Sequence, residues 1–438
     1  MFKSKKYLLG GLLSALVLAA VIVIAGPAML FADSGWKPGI ELNTENWGKM
    51  VGFQPDLTTL PVKSGKVSDK NFDKYKSVLP PSFDILVKKY KMKLKLREYE
   101  PIHPSLGYIE ATNKYAGQAK LVETGNDVRK KGINGYVAGL PFPNPKSGME
   151  IAWNYQYSYN GDDGDLYYSV YWISANKGVE HFEEWRWYWI FRTMHRTDLD
   201  PRPHIPKFAK KNLQYTSITY ALSPYDKRGF GALYSRSEAP LDQQGHIYVP
   251  AMKRVLRNTF GTRGDTWNST DLLYEDVRGF MGYPEWMKWK LIEKKTYLMP
   301  MHAGIKLGKE NAKKTFSMDK WPHWNPNMKW ELRPMYVLEV TPKLKDYPYS
   351  KMLIYYDAET YLITYKVAYD KKGQIWKLVL IGYNEASDME EAPPVYGAQL
   401  VIDVQAEHAT AFPVYSFKVN TNISPNEFTE SNLRKRGR

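Results

Sequence analysis

The 438-residue chain contains no cysteine. Disulfides, thiolate chemistry and cysteine-ligated metal are therefore excluded, as is the lipid-modified cysteine that tethers a bacterial lipoprotein. Histidine is sparse. The eight residues His103, His181, His195, His204, His246, His302, His323 and His408 never fall in the H-x-x-x-H or H-E-x-x-H spacing that puts two imidazoles on one helix face. A G-x-S-x-G nucleophile elbow and a glycine-rich phosphate loop are also missing. The nearest approach to acid–base chemistry is the group Asp271, Glu275 and Asp276, whose spacing shows no convergence on a shared water. Asp162, Asp163 and Asp165 lack the longer ligand set, ending in Glu, of an EF-hand, and are expected at an exposed hairpin tip. The expectation is a protein with no catalytic residue, no metal and no cofactor.

Acidic residues are outnumbered, 46 Asp and Glu against 61 Lys and Arg, for a net charge of +15. Such a surface favours anionic partners. Lys3, Lys5 and Lys6 precede an apolar run from Tyr7 to Phe31, with small residues at Gly26-Pro27-Ala28. This reads as a secretory signal or, if uncleaved, as a membrane anchor. In both cases the remainder is exported, which argues against nucleic acid as the partner.

Aromatic residues make up 14%, with 33 Tyr and 14 Trp, a composition suited to sheet faces and to ligand walls. The clearest pattern runs from Trp330 to Tyr383. From Glu331 to Thr341, Leu332, Pro334, Tyr336, Leu338 and Val340 alternate with Arg333, Met335, Val337 and Glu339, the two-residue period of a strand. Lys351–Tyr356, Tyr361–Tyr369 and Gln374–Tyr383 follow after short turns, so an antiparallel meander is expected. In its third strand, strict alternation puts Tyr361, Ile363, Tyr365, Val367 and Tyr369 on one face.

Elsewhere the signals are shorter. Residues 33–70 lack periodicity and read as an irregular lead-in. Pro80-Pro81-Ser82 opens a short helix to Tyr90. Lys91, Lys93, Lys95 and Arg97 alternate with Met92, Leu94 and Leu96 as a basic-faced strand, a solvated edge or a contact for an anionic surface. A helix is expected over Ala111–Glu123, closed by Gly125. The Pro-braced loop from Gly139 to Trp153 should lead into a long strand, and aromatic alternation runs from Glu150 to Leu222. It includes a ladder of Trp185, Trp187, Trp189 and Phe191, either barrel packing or a ligand wall. His246–Leu256 reads as a strand, Thr270–Phe280 as a short helix and Trp289–Met299 as a strand. Arg263-Gly264-Asp265 is a turn, Glu390 to Pro394 a linker and Ala398–Val404 a strand. Ser424-Pro425-Asn426-Glu427 starts a last helix, followed by a fraying basic tail, Arg434 to Arg438.

Three stretches carry a family resemblance. They are WELRPMYVLEVTPKLKDYPYSKMLIYYDAETYLITYKVAYDKKGQIWKL, the loop GLPFP followed by Gly148, Glu150, Trp153 and Asn154, and HIYVPAMKRVL. The last carries Tyr248, Pro250, Arg254 and Val255 at matching places and Lys253 where the pattern has Arg. Together they resemble the DUF1329 family of secreted bacterial proteins. The resemblance implies the open β-barrel architecture of the lipoprotein carriers LolA and LolB and a neighbourhood of RND/MMPL-type transporters. It transfers no catalytic residue.

The expected fold is mainly β with short helices. One large curved antiparallel sheet of about ten or eleven strands forms an incomplete barrel covered by the helices. Residues 71–438 form this single domain, after a 1–32 signal or anchor and the 33–70 lead-in. The expected function is binding of a lipid or other elongated hydrophobic ligand in the periplasm, as carrier or transporter accessory, with an anionic membrane surface as a further partner. Trp187, Trp189, Tyr336, Tyr361, Tyr365 and Trp376 are the expected lining residues. A structural or outer-membrane-associated β protein and an envelope hydrolase are the alternatives. Arg186, Arg192 and Lys366 interrupt the strand faces too often for a lipid-facing barrel.

Overall fold

A computed structural model of the chain describes residues 34–241, 244–259, 265–385 and 394–437. The N-terminal basic and apolar segment, most of the Arg263-Gly264-Asp265 turn, most of the linker before Pro394 and Arg438 lie outside the described residues. The strands are β1 (Gly65–Val67), β2 (Leu94–Leu96), β3 (Lys120–Leu121), β4 (Ile133–Asn134), β5 (Asp163–Ser174), β6 (Gly178–Ile190), β7 (Leu213–Ser223), β8 (Gly231–Ser237) and β9 (Gln244–Val249). They continue as β10 (Arg254–Thr259), β11 (Met287–Met299), β12 (Lys329–Pro342), β13 (Lys351–Asp357), β14 (Ile363–Tyr369), β15 (Ile375–Glu385), β16 (Pro394–Asp403) and β17 (His408–Val419).

Fifteen of these strands form one sheet in the order β1-β2-β12-β13-β14-β15-β16-β17-β5-β6-β7-β8-β9-β10, with β11 also on β12. β3 and β4 pair only with each other. The count exceeds ten or eleven because several strands are short and because β17, which joins the meander to β5, was not expected. The sheet is mixed: β2 runs parallel to β12 through Lys95 and Leu96 opposite Lys329 and Trp330. These two positions lie beyond the end of β11, whose pairing stops at Met299 opposite Glu331, so β2 covers an edge that would otherwise stay unpaired.

The sheet curls. One buried cluster unites Tyr168 of β5, Trp185 and Trp189 of β6, Tyr336 and Leu338 of β12, Tyr356 of β13 and Val401 of β16. Strands so far apart in the sheet share a core only when it wraps around that core. The helices Leu106–Tyr115 and Gly148–Gln156 and the segment from Leu272 to Trp286 close over this concave side. The convex side of β12–β16 is buried too, against Phe83, Leu86, Tyr90 and Trp324.

The meander is as expected in order, but not in facing. Tyr355 pairs with Tyr365 while Tyr356 pairs with Ile363, so Thr364 is an extra residue in a β-bulge. Ile363 and Tyr361 therefore join the concave core, whereas Tyr365 and Val367 join the convex one. The lead-in wraps the molecule: Trp36, Leu42, Trp47 and Val51 belong to the concave core, and the Trp47 indole donates to the Glu359 carbonyl at 2.8 Å.

Buried charge pins the same region. The Arg333 guanidinium, with no exposed surface, donates to both oxygens of Asp357 at 2.7 and 3.3 Å and to Glu359 at 2.6 Å. Burial opposes the Arg333 charge, but Asp357, Glu359 and Glu331 outweigh it and hold its pKa well above the ordinary value.

Several expected elements are corrected. The helix at 111–123 instead spans Leu106–Tyr115, because the Ser105 side chain accepts from Tyr108 N–H and Gly117 breaks it at φ +81°. The segment from Gly148 to Gln156 is helix and not strand, capped by Ser147 accepting from Glu150 N–H. Asp162 and Asp163 are not at an exposed tip. Asp162 accepts from the amides of Thr197, Asp198 and Leu199, and Asp163 from those of Thr421 and Ile423. His246–Leu256 is a hairpin, β9 and β10, turning at Pro250–Met252 with Lys253 at φ +52°. The C-terminal helix runs to Arg436, whose guanidinium pairs with Glu427 at 2.6 Å.

Candidate functional site

The concave face is filled by side chains along β12–β16 but leaves a cavity of about 240 Å³ over β5–β9. Strand register builds its floor. Leu166, Trp187, Thr219, Ala232 and Ile247 are directly paired across β5, β6, β7, β8 and β9, and Leu256 continues the row on β10. Directly paired residues share a face, so this row is one apolar path from the cavity to the sheet edge, where Leu256 is 40% exposed. The neighbouring row brings Gly164 opposite Trp189. A Cβ at Gly164 would stand 2.7 Å from the indole, so only glycine lets Trp189 lie flat against β5.

The roof is the loop from Trp267 to Met281, which contributes Trp267, Leu272, Tyr274 and Val277. The helix expected at Thr270–Phe280 is a chain of 3₁₀ turns, broken by Val277 and by Arg278 at φ +55°. That irregular path lets the loop follow the curved sheet, and its carboxylates fasten it at separate points. Asp271 accepts from His408 Nδ1 and Thr410 Oγ1, both at 2.7 Å. Asp276 accepts from the buried Lys366 ammonium and from the Tyr349 hydroxyl at 2.5 Å. Glu275 accepts from the Tyr347 hydroxyl at 3.3 Å. The three carboxylates thus serve three different partner sets.

At one rim the buried Glu183 gathers four groups. His181 Nε2 lies 2.9 Å from Oε1, which the Lys227 ammonium also meets, while the Trp185 indole at 2.8 Å and Asn268 Nδ2 at 2.7 Å donate to Oε2. This carboxylate sets the angle of a cavity-wall indole and ties the roof to β6.

Polar groups in the wall are turned to one another. Gln399 accepts from Tyr396 hydroxyl at 2.8 Å and from Arg278 N–H, and donates to the Asp276 carbonyl at 2.9 Å. Thr219 donates to the Arg186 carbonyl. Burial pushes the hydroxyls of Tyr168, Tyr215 and Tyr396 far above the usual phenol range, so the tyrosines stay neutral. Such a wall offers aromatic area with few polar anchors, the chemistry of an apolar-ligand site. Among the described residues no group of three or more His, Asp or Glu is placed to hold a metal ion. No described helix is long and apolar enough to cross a membrane.

Of the six residues expected to line a site, Trp187 faces the cavity. Trp189 packs beside it at 4.6 Å between ring centroids and is covered by Phe417. Tyr336 and Tyr361 stack on each other at 6.0 Å in the filled part of the concave core, with the Tyr361 hydroxyl donating to the Val51 carbonyl. Tyr365 lies on the convex side and bonds Ser82, because the Thr364 bulge inverts its face. Trp376 is half-buried, donating to Asp403 at 2.7 Å. Tyr168, Phe230, Trp267, Tyr396 and Phe412 also line the cavity and lie outside the six expected positions. Trp185 stood in the tryptophan ladder, two residues from Trp187, and that period was the available signal.

The sequence model of DUF1329, a protein of unknown function, matches residues 66–434. The chain belongs to the DUF1329 family. An uncharacterized protein of Pseudomonas aeruginosa, PA3922, is 22% identical over 391 residues, which cover 85% of this chain and 81% of that protein. The crystal structure of a DUF1329 family protein from Desulfovibrio piger is similar with a TM-score of 0.46 and 16% identity, over 65% of this chain and 97% of that one. The LolA superfamily protein NE2245 from Nitrosomonas europaea is similar with a TM-score of 0.40 and 11% identity, over 66% of this chain and 99% of that one.

Proposed function

We propose that this DUF1329 chain is an exported cell-envelope protein that binds a lipid or another elongated apolar molecule on the concave face of its sheet. The cavity over β5–β9 carries the proposal: aromatic and aliphatic walls, tyrosines held neutral, and the amides of Asn268 and Gln399 and the hydroxyls of Thr219 and Tyr396 engaged with the protein itself. Its volume, about 240 Å³, exceeds the ~150 Å³ apolar void that admits benzene. It falls short of the roughly 300–1,000 Å³ that encloses a drug-sized ligand. The cavity therefore takes one stretch of a chain-like molecule, and the rest lies along Ile247 and Leu256 toward the sheet edge. The family's association with RND/MMPL-type transporters supports the finer reading of a carrier that hands its ligand to such a transporter or receives it from one. Binding and release of such a molecule need no catalytic step.

Native mass spectrometry of protein purified from its own envelope, followed by extraction, tests the reading. A bound apolar molecule is expected, absent from Trp187→Arg, which puts a charge into the cavity wall. Protein that carries nothing, and whose tryptophan fluorescence ignores a panel of envelope lipids, defeats it.

A further inference from the structure

One end of strands β7–β10 combines exposed apolar tips with exposed cations. Register fixes the grouping. Gly231 pairs with Tyr220 and with Tyr248, and Arg254 with Val249. The connection from Leu222 to Phe230 and the turn from Pro250 to Lys253 therefore project side by side. The C-terminal helix Glu430–Arg436 ends at the same place, where a Cβ on Gly229 would stand 2.2 Å from the Gly437 carbonyl oxygen. Tyr225 is 91% exposed, Met252 52% and Leu222 36%. Around them Arg228, Lys253, Arg254, Arg434 and Lys435 are all exposed. Asp226 is the exposed carboxylate beside them. Glu430, at the far end of the helix, pairs with His246 at 3.0 Å, and Glu427 with Arg436.

Apolar tips ringed by cations match the interface of an anionic bilayer. Tyrosine and methionine side chains enter the headgroup layer while Lys and Arg meet phosphate above it. We propose that this end of the sheet docks on an anionic phospholipid bilayer, with Leu222, Tyr225 and Met252 entering the interface and the five cations contacting headgroups. The position fits the site already described. Phe230, in the same connection as Tyr225, lines the cavity rim and packs on Trp185 at 6.2 Å between centroids. The exposed end of the apolar row, Leu256, stands on the strand that leaves the Met252 turn. Docking here brings the rim to the lipid without a rearrangement of the sheet. The purpose of this contact rests on the cavity being a lipid site; the contact itself does not.

The basic stripe from Lys91 to Arg97, around β2, is a weaker surface for the same partner. Lys91 pairs with Asp69 at 3.1 Å, and Arg97 with Glu100, so its charge is partly met within the chain.

The absence of native cysteine makes a local test direct. The full chain carrying Met252→Cys, exported and labelled with an environment-sensitive fluorophore, is mixed with vesicles of phosphatidylcholine alone or with about a third phosphatidylglycerol. The label should brighten several-fold and shift to the blue with the anionic vesicles only. Adding Lys253→Glu and Arg254→Glu should weaken the response about 25-fold or more, since each cation near such a surface is worth about fivefold. A label at Lys93→Cys, just before β2, should stay unchanged, which separates docking here from attachment through the basic stripe. No response to anionic vesicles, an equal response to neutral ones, or an equal response at position 93 overturns the proposal. So does a label that ignores vesicles but is shielded by a cross-linked envelope protein, which would assign the surface to a protein partner. Trp187→Arg should keep the vesicle response while losing extracted lipid. A wild-type chain that responds to vesicles yet carries no lipid would leave docking intact and remove the cavity reading.

Discussion

The two halves of the sheet are built on different terms. Along β12–β16 both faces are covered, by the concave core and by the residue 62–96 and 297–330 segments, and buried ions cross-link the result. Along β5–β9 the concave face is left partly unfilled and roofed by an irregular loop held at a few points. A sheet covered on both sides uses nearly every side chain for packing, which leaves little freedom for a ligand. The half that gives up packing is the one able to hold something else. In this molecule the rigid half supports the roof of the other, since Lys366 of β14 and Gln399 of β16 are the posts to which the loop is tied.

This contrast can be broken most severely at Arg333. Arg333→Met leaves Asp357 and Glu359 buried with no cation between them, and about 3–5 kcal/mol of stability should be lost. A urea midpoint followed by circular dichroism measures it. A loss below about 1 kcal/mol, the scale of an exposed pair, would mean that the packed half does not depend on this charge cluster. The cavity half should answer differently to added volume. Ala232→Phe, on its floor, should cost about 1 kcal/mol or less, below the usual 1–3 kcal/mol of overpacking a filled core, yet displace bound ligand. A larger cost, or undiminished binding, would show that the space is not available to a guest. The smallest effect concerns the roof and pH. The hydrogen bond from His408 to Asp271 raises the histidine pKa above its ordinary value, against partial burial, with Glu180 adding to the rise. A raised folded pKa gives a stabilisation that is complete below the ordinary value and lost as pH climbs through the folded one. Amide exchange of Thr270 to Leu272 should therefore quicken a few-fold between about pH 6 and pH 9, beyond the intrinsic rate, and His408→Gln should abolish the difference.

The packed half was the legible half. From Glu331 to Tyr383 the period of two survives in the sequence because strands with short turns between them need no distant information. The lead-in was not legible as packing, since Trp47 finds its partner, Glu359, 312 residues away. The helix at Gly148–Gln156 was hidden for another reason: Tyr155, Tyr157 and Tyr159 mimic strand alternation, and the Ser147 cap with Glu150 three residues on was the stronger signal. Of the site, Trp187 could be named from its ladder. Trp267 and Val277 sit in a loop without periodicity, and Tyr396 and Phe412 reach the cavity only because β17 brings the meander beside β5. A wall gathered from eight segments has no local signature.

Thr364 acts on the chain much as an inserted letter acts on a reading frame. Up to this residue, odd positions on β14 mean inside; after it, they mean outside. Further register shifts occur between β5 and β6, between β15 and β16 and between β17 and β5, so the frame is reset several times around the sheet. Regular alternation with Thr364 retained would send Tyr365 into the concave core and Lys366 away from Asp276, whereas deleting Thr364 would close the bulge and leave both on their present faces. The same sequence on a straight strand would be the wrong molecule. Strand parity here is a property carried by single residues, and length changes in this sheet should be tolerated only outside its strands, at a bulged residue or in compensating pairs.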